Sequence, residues 1–296
     1  MHNDPLNRQP LRPRLIIGLT LLLFIPCLRS HADGMALIPE TAWIQPGTTF
    51  TVGVQISTQP GWHTYWLNPG DSGMAPALHW TLPDGIRMGA LHFPTPHYME
   101  ADGLVTYGYE NEVTLLADFH ADSTLQGTGV VLRLNAQWMV CLDMCMFRKQ
   151  SVELSIPVKP TKPPRRLVTT NRFDAARAAL PVPMPGWTAQ AQAVGSEWLL
   201  HITPPPGHPF NPESGIQFFA MKRGAVNPTP TGTWNRQEAQ WTLRLPKGPE
   251  PPAAPETLDG ILVFPSNRTD PPHATAILIR ATRMESVLAN PVGDQP

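Results

Sequence analysis

The sequence predicts an all-β protein built from two β-sandwich domains. Three observations support this class: short stretches of alternating apolar and polar residues, turn residues between them, and 36 prolines in 296 residues. Proline is poorly tolerated inside helices and central strands but suits turns and edges. Short strands separated by Gly, Pro, Asn and Asp are typical of sandwiches. We therefore expect two immunoglobulin-like domains, joined by a proline-rich linker and one short helix.

The first 32 residues have the order of features that defines a secretory signal peptide. Three arginines precede an apolar run over residues 15–26, and residues 30–32 supply small residues for cleavage. The run is shorter than the roughly 20 apolar residues that span a bilayer. We expect residues 1–32, with Cys27, to be removed. The mature chain should then be soluble in an oxidising compartment, where disulfides persist.

The charge balance excludes some partners. Residues 1–32 carry four Arg and one Asp, so 18 basic and 22 acidic residues remain after their removal. This balance does not favour binding to nucleic acid or to an anionic membrane. The sequence shows no Ser/His/Asp set, phosphate-binding loop or paired-carboxylate pattern, so a hydrolase or kinase function has no support.

The first domain is predicted over residues 34–158. In residues 49–57, Phe50, Val52, Val54 and Ile56 alternate with smaller or polar residues, which is typical of a strand with one buried face. Further strands are predicted at residues 77–82, at 104–119 with a break near Glu110-Asn111, at 129–140 and at 151–158.

The linker is predicted over residues 159–170, where prolines and basic residues indicate an extended, exposed segment. A helix should follow at residues 171–180, because Asn171 can cap its start and Pro181 stops it.

The second domain is predicted over residues 171–284, and the tail 285–296 should be disordered. Its strands are expected at residues 187–193, 197–203, 216–221, 239–245, 260–264 and 274–281.

Cys141 and Cys145 are the thiols that remain once the leader is removed. If residues 142–144 form a hairpin loop, the two cysteines face each other at a distance that a disulfide bridges. A disulfide that closes so short a loop stabilises the fold by only about 2 kcal/mol. Such a bridge is better explained by reversible chemistry than by a structural need.

Three interpretations of the pair remain open. It could be a structural bridge, or a redox couple in which a partner thiolate attacks one sulfur and the second cysteine resolves the mixed disulfide. It could also bind Cu(I), because Met139, Met144 and Met146 surround the cysteines and soft sulfur ligands select that ion. Which cysteine is attacked does not follow from the sequence.

An aromatic cluster at Trp62, His63, Tyr65 and Trp66 has two interpretations. It could form a rim against the thiols or a docking surface, or it could be a core strand followed by a turn in which Gly70 and Gly73 adopt positive φ. We further hypothesise that the loop over residues 94–103, or Tyr107 and Tyr109, covers the disulfide as a lid.

Four motifs in a fixed order resemble a known family. They are residues 61–73 (GWHTYWLNPGDSG), 93–96 (FPTP), 104–110 (LVTYGYE) and 138–141 (WMVC) followed by Cys145. Together they resemble the periplasmic N-terminal region of the DsbD/ScsB family of thiol:disulfide interchange proteins and suppressors of copper sensitivity. The resemblance is strong over residues 46–158, and the second domain resembles the segment that follows in the ScsB type.

The resemblance implies an immunoglobulin-like domain in the periplasm that receives electrons and reduces other thiol proteins. Cys141 and Cys145 match the family's redox pair, and no cofactor is implied. The expected partners are a membrane electron-transfer protein and periplasmic thioredoxin-like or disulfide-isomerase-like proteins.

Two departures from the family limit this implication. The sequence lacks the family's membrane segment and thioredoxin-like domain, so a reductase activity would need a separate membrane donor. Met146-Phe147 also stand where the family often has Ile-Pro. The alternative, from a different class, is a non-enzymatic copper-binding or scaffold module in copper tolerance or cytochrome biogenesis.

Overall fold

The computed structural model describes residues 33–165, 167–183, 185–208, 210–212, 215–228, 232–249, 257–264 and 276–284. Over these residues the chain forms 18 strands and one helix, so the all-β prediction is confirmed. The predicted signal peptide (1–32) and tail (285–296) lie outside the described residues.

The N-terminal region contains two antiparallel sheets. The first has the order β1 (Gly34–Pro39), β2 (Thr49–Ser57), β8 (Glu112–Ala121) and β5 (Ile86–His92). The second has the order β10 (Cys145–Pro157), β9 (Gly129–Cys141), β3 (His63–Gly70), β7 (Leu104–Glu110) and β6 (His97–Ala101), and β4 (Ala77–Thr81) also pairs with β9.

One hydrophobic core holds these two sheets together. On β9, every second residue from Val130 to Val140 is buried, including Leu134 and Trp138. These side chains belong to the same apolar cluster as Val54 of β2. Each fully buried side chain of this kind contributes about 1.5–3 kcal/mol relative to an exposed one. The period-2 burial therefore fixes the register of β9 and makes its other face available for a site.

The C-terminal region, residues 182–283, forms one sheet in its described part. The strand order is β14 (Gln217–Ala220), β17 (Thr257–Val263), β18 (Ala276–Arg283), β12 (Thr188–Val194), β13 (Glu197–Thr203), β16 (Gln240–Pro246) and β15 (Thr233–Gln237), and β11 (Val182–Pro183) pairs with β18. Two facing sheets are not distinguished here, and the immunoglobulin-like description of both domains stays a prediction.

The C-terminal sheet packs directly onto the N-terminal core. Phe219 of β14, Ile261 of β17 and Ala276 of β18 belong to the N-terminal apolar cluster. The ring of Phe219 stacks on Tyr107 of β7 with 4.3 Å between centroids. The two regions therefore share buried surface.

The helix differs from its prediction at the start. It spans α1 (Leu167–Ala178), so it begins four residues before the predicted cap at Asn171. Phe173 and Ala176 are buried against Leu116 of β8. Asp174 accepts a hydrogen bond from Arg165. Tertiary packing on the first sheet therefore stabilises this helix.

Residues 167–170 of the predicted linker belong to α1, and its described remainder, residues 159–165, is held against the N-terminal region. The backbone N–H of Ala42 donates to the carbonyl of Pro164 at 3.2 Å, and the indole of Trp43 donates to the carbonyl of Thr161 at 2.8 Å. Ile44 forms a bridge with Val158. These contacts hold residues 158–165 along the segment 41–45.

Several strands were not predicted, and most of them have little alternating burial. They are β1, β5, β6, β11, β15 and the first half of β10. Residues 145–150 of β10 are largely polar or exposed because β10 is an edge strand. Residues 97–101, which we expected within a loop, pair with β7 as strand β6. Edge strands lack the one-sided burial that makes a strand recognisable in a sequence.

Candidate functional site

The two cysteines lie at the tip of the β9–β10 hairpin. Cys145 pairs with Cys141, and the register continues without a break to Pro157 opposite Gly129. Residues 142–144 form the turn, as predicted. The side chains form a disulfide, with 4.2 Å between the Cα atoms. The hairpin is what brings the two sulfurs together.

The two cysteine residues differ in their exposure. Cys141 has 2% of its surface exposed because β9 lies inside the sheet, between β10 and β3. Cys145 is exposed because β10 is the edge strand. Large apolar side chains around it are also exposed: Leu142, Met144 and Phe147. A protein that approaches the tip therefore meets Cys145 first, within an apolar surface.

Tyr65 of β3 is the polar contact of the disulfide. Its hydroxyl donates to Sγ of Cys141 at 2.7 Å, and it lies 3.5 Å from Sγ of Cys145. The side chain is 1% exposed. Burial raises the pKa of the Tyr65 hydroxyl, so the group remains a proton-bearing donor at neutral pH.

His63 is the cross-strand neighbour of Cys141. Its ring meets the Tyr65 ring edge-on with 5.2 Å between centroids. Nε2 is buried without a hydrogen-bond partner in the part of the chain that the structure describes. Burial lowers the pKa of His63, and Glu110 on the neighbouring strand opposes this only in part. His63 is therefore neutral at pH 7 and places no positive charge beside Cys141.

The turn over residues 68–73 covers the Tyr65 ring. Gly70 and Gly73 have φ of 89° and 88°, as predicted. A Cβ atom on Gly73 would overlap the Tyr65 ring, so the glycine is required for this close approach. Asp71 anchors the turn to Val105: its N–H donates to the Val105 carbonyl at 2.9 Å, and its carboxylate accepts from the Val105 N–H at 2.8 Å.

The structure does not bring the predicted lid residues to the disulfide. Gly108 pairs with Tyr65, so its neighbours Tyr107 and Tyr109 point to the opposite face of the sheet. Both are buried in the core, and the Tyr109 hydroxyl donates to the carbonyl of Pro94 at 2.6 Å. Strand β6, which replaces the expected loop, is separated from β9 by the two strands β3 and β7.

Trp62 lies just before β3, half-buried against the core. Its neighbour Gly61 faces Leu142 of the hairpin turn, where a Cβ atom would lie 3.9 Å from Cδ1. The predicted aromatic rim is thus divided. His63 and Tyr65 contact the site, and Trp62 supports the segment beside the hairpin.

The predicted sulfur cluster is also divided. Met139 pairs with Phe147 and lies on the sheet face that carries Cys141. Met144 lies in the turn and is 72% exposed. Met146 lies on the opposite sheet face, toward the core. Among the described residues, no group of three or more His, Cys, Asp or Glu could hold a metal ion.

A disulfide at a hairpin tip, with one exposed cysteine and a hydroxyl on the sulfur of the buried one, is suited to thiol–disulfide exchange. Residues 35–157 match the family model of the N-terminal domain of the thiol:disulfide interchange protein DsbD. This part of the chain is therefore similar to the N-terminal domain of DsbD, and the predicted resemblance is confirmed.

Solved structures show how far the fold is shared. The chain is similar to the N-terminal periplasmic domain of ScsB from Proteus mirabilis, with 16% identity and a TM-score of 0.55, covering 83% of this chain and 92% of that one. A protein of unknown function from Porphyromonas gingivalis W83 matches with 10% identity and a TM-score of 0.25, covering 84% and 99%. Among curated proteins, none matches the sequence significantly.

The described residues contain no helix that is long and apolar enough to cross a membrane.

Proposed function

We propose that this protein is a periplasmic thiol–disulfide interchange protein that exchanges electrons with protein partners through the Cys141–Cys145 disulfide. The observation that carries the proposal is the asymmetry of the pair. Cys145 is exposed at the hairpin tip, whereas Cys141 is buried and receives the Tyr65 hydroxyl. The periplasmic location is supported by the family match and by the similarity to a periplasmic domain of ScsB.

The asymmetry assigns a role to each sulfur. A partner thiolate attacks Sγ of Cys145, a mixed disulfide forms, and the bond to Cys141 breaks. Cys141 leaves as a thiolate, to which Tyr65 donates a charge-assisted hydrogen bond. The partner's second thiol then attacks the mixed disulfide, so the partner becomes oxidised and Cys145 leaves as a thiolate. Two electrons and two protons pass to this chain, and the reverse sequence reduces a partner.

The partners are proposed from the family and from the surface of the tip. Leu142, Met144 and Phe147 are exposed around Cys145 and give an apolar contact surface. A thioredoxin-like or disulfide-isomerase-like protein and a membrane electron-transfer protein are the partners that the DsbD family implies. Whether this interchange amounts to a reductase activity depends on such a donor.

The test uses the full chain carrying Cys27→Ser, equilibrated with reduced and oxidised glutathione. The disulfide should be reduced and re-formed reversibly as the ratio of reduced to oxidised glutathione is varied. After reduction, Cys141→Ser should accumulate a mixed disulfide between Cys145 and glutathione on treatment with oxidised glutathione, measured by intact mass. The matched variant Cys145→Ser should react far more slowly, because Cys141 is buried. A disulfide that resists glutathione and dithiothreitol in the folded protein contradicts the proposal.

A second candidate is Cu(I) binding by the reduced pair. It is supported by Met139, which shares a sheet face with Cys141, and by the exposure of Met144 beside Cys145. Titration of the reduced protein with Cu(I) against a chelator should then show one bound ion. Met144→Leu should weaken it, whereas Met146→Leu, on the core face, should not. Binding no tighter than that of the Cys141→Ser variant rules this candidate out.

A further inference from the structure

We propose that Arg223 of the C-terminal region positions Tyr65 against the disulfide by holding the turn that covers the Tyr65 ring. The proposal rests on the proposed redox function of Cys141 and Cys145. It gives the C-terminal region, which has no cysteine of its own, a part in the chemistry of the N-terminal region.

Arg223 follows β14 and reaches across to the turn over residues 68–73. Its Nη2 donates to the carbonyl of Asp71 at 2.9 Å, and its Nη1 donates to the carbonyl of Gly73 at 3.2 Å. The two carbonyls are separated by one residue, Ser72. A planar guanidinium with two parallel donors suits such a pair, and a lysine, with its single ammonium, does not reproduce it. Arg223 therefore holds the second half of the turn.

The first half of the turn is held by the same segment of the C-terminal region. Nδ2 of Asn68 donates to the carbonyl of Ala220 at 2.7 Å, and Oδ1 of Asn68 accepts from the N–H of Gly70 at 3.1 Å. Both contacts are buried. Residues 220–223 thus fix the turn at both ends.

The position of the turn decides the position of the Tyr65 ring. Gly73 lies so close to the ring that it has no room for a side chain. On the neighbouring strand, the partner of Tyr65 is Gly108, which has no side chain to cover the ring. Because the turn supplies the cover, a movement of Gly73 allows the ring to move as well.

The position of the ring matters for the redox step. When the disulfide is reduced, negative charge develops on Sγ of Cys141, 2.7 Å from the Tyr65 hydroxyl. A donor at this place favours the thiolate, and a displaced donor does not. Sγ of Cys145 lies 3.5 Å from the hydroxyl, and the elements packed around the ring also carry His63 on the same strand, Glu110 opposite His63 and Asp71 in the turn.

The experiment compares Arg223→Ala, Tyr65→Phe and the double variant in the full chain carrying Cys27→Ser. The readouts are the rate of disulfide reduction by dithiothreitol and the pH profile of Cys141 alkylation in the reduced protein, resolved by peptide mass. Arg223→Ala should slow reduction about twofold to tenfold and shift the alkylation profile to higher pH. Tyr65→Phe should have at least as large an effect, and Arg223→Ala should add nothing to it.

Two further variants separate positioning from charge. Arg223→Lys keeps the positive charge but loses the two-pronged contact, so it should resemble Arg223→Ala. Arg244→Ala removes an equal charge from the same region, where Arg244 pairs with Glu197 at 2.9 Å, and should leave both readouts unchanged.

The outcomes distinguish this inference from the proposed function. If Arg223→Ala leaves both readouts at wild-type values while Tyr65→Phe changes them, the positioning role is overturned and the redox function stands. If Arg223→Ala has its full effect in the Tyr65→Phe background, Arg223 acts through its charge, and the positioning role is also overturned. If the wild-type disulfide is not reduced at all, the proposed function fails, and the inference fails with it.

Discussion

The N-terminal region carries the disulfide and the side chains that touch it, whereas the C-terminal region carries the groups that hold one of those side chains in place. The first region buries its core between two sheets and leaves one sheet face for Cys141, Cys145 and Tyr65. The second region has no cysteine, and it contacts the first through Phe219, Ala220 and Arg223. The difference teaches that a reactive pair and its support need not come from the same part of a chain.

The difference between the two regions is tested most strongly by two adjacent residues of β14. Phe219 is buried in the N-terminal core, and Phe218 is buried in the C-terminal core. Each Phe→Ala change should cost about 3–5 kcal/mol of stability in its own core. Urea unfolding followed by tryptophan fluorescence measures this cost. Phe219→Ala should also slow reduction of the disulfide in the folded protein, because it loosens the packing of β14, and the neighbouring Ala220 and Arg223 hold the turn beside Tyr65.

Phe218→Ala is the matched control for that effect and should leave the reduction rate unchanged under native conditions. Equal reduction rates in the two variants would show that the shared core does not support the redox site.

Asn68→Ala should have the next largest effect. It removes the buried hydrogen bond to Ala220 and leaves that carbonyl without its partner, which typically costs about 1–3 kcal/mol. Asn135→Ala is the control, because Asn135 is exposed and bonds only to Ser151 among the contacts described. That change should stay within about 0.5 kcal/mol. If thermal unfolding shows the same loss of stability for Asn68→Ala and Asn135→Ala, the hydrogen bond from Asn68 to Ala220 does not stabilise the contact between the two regions.

The ion pair that holds α1 to the N-terminal region should contribute less. Both terminal nitrogens of Arg177 lie 2.7 Å from the two carboxylate oxygens of Glu40, which is largely buried. Glu40→Gln should cost about 1 kcal/mol, with a smaller cost at high salt. Glu153→Gln, which breaks an exposed pair with Arg133, should cost close to nothing. Denaturation midpoints of the two variants in low and high salt show whether the bidentate Arg177–Glu40 pair stabilises the fold more than the Arg133–Glu153 pair does.

The smallest effect is the pH dependence that comes from His63. Burial lowers its pKa in the folded state, so between that pKa and about 6.5 the unfolded chain binds more protons than the folded one. The contribution of neutral His63 to the free energy of unfolding is fully present above about pH 6.5 and is lost as the pH falls below that value. His63→Gln should therefore reduce the drop in Tm between about pH 7.5 and about pH 5.5. His201, whose pKa burial also lowers, gives the corresponding variant in the C-terminal region.

If neither His63→Gln nor His201→Gln changes the drop in Tm, another group is responsible for it. A larger effect for His201→Gln would mean that acid sensitivity belongs to the C-terminal region.

Much of the sheet structure could be predicted because one face of a strand is buried. Strands β2 and β13 occupy the predicted residues, and β9 extends one residue beyond its prediction. The break between β7 and β8 falls at Asn111, which adopts a φ of 63°, a conformation that Asn tolerates better than most residues. The turn at residues 142–144 follows from the cysteine spacing. These features depend on neighbours along the chain, so the sequence contains them.

The sequence by itself determined an all-β chain, an N-terminal region that resembles that of DsbD, and a hairpin that joins Cys141 to Cys145. Only the tertiary structure decided that Cys145 is exposed and Cys141 is buried, because this depends on which strand lies at the edge of the sheet. It also decided the start of α1 and the contact of Arg223 with the turn over residues 68–73, about 150 positions away in the sequence. No local pattern marks such a partner, since the guanidinium binds backbone carbonyls that every residue has.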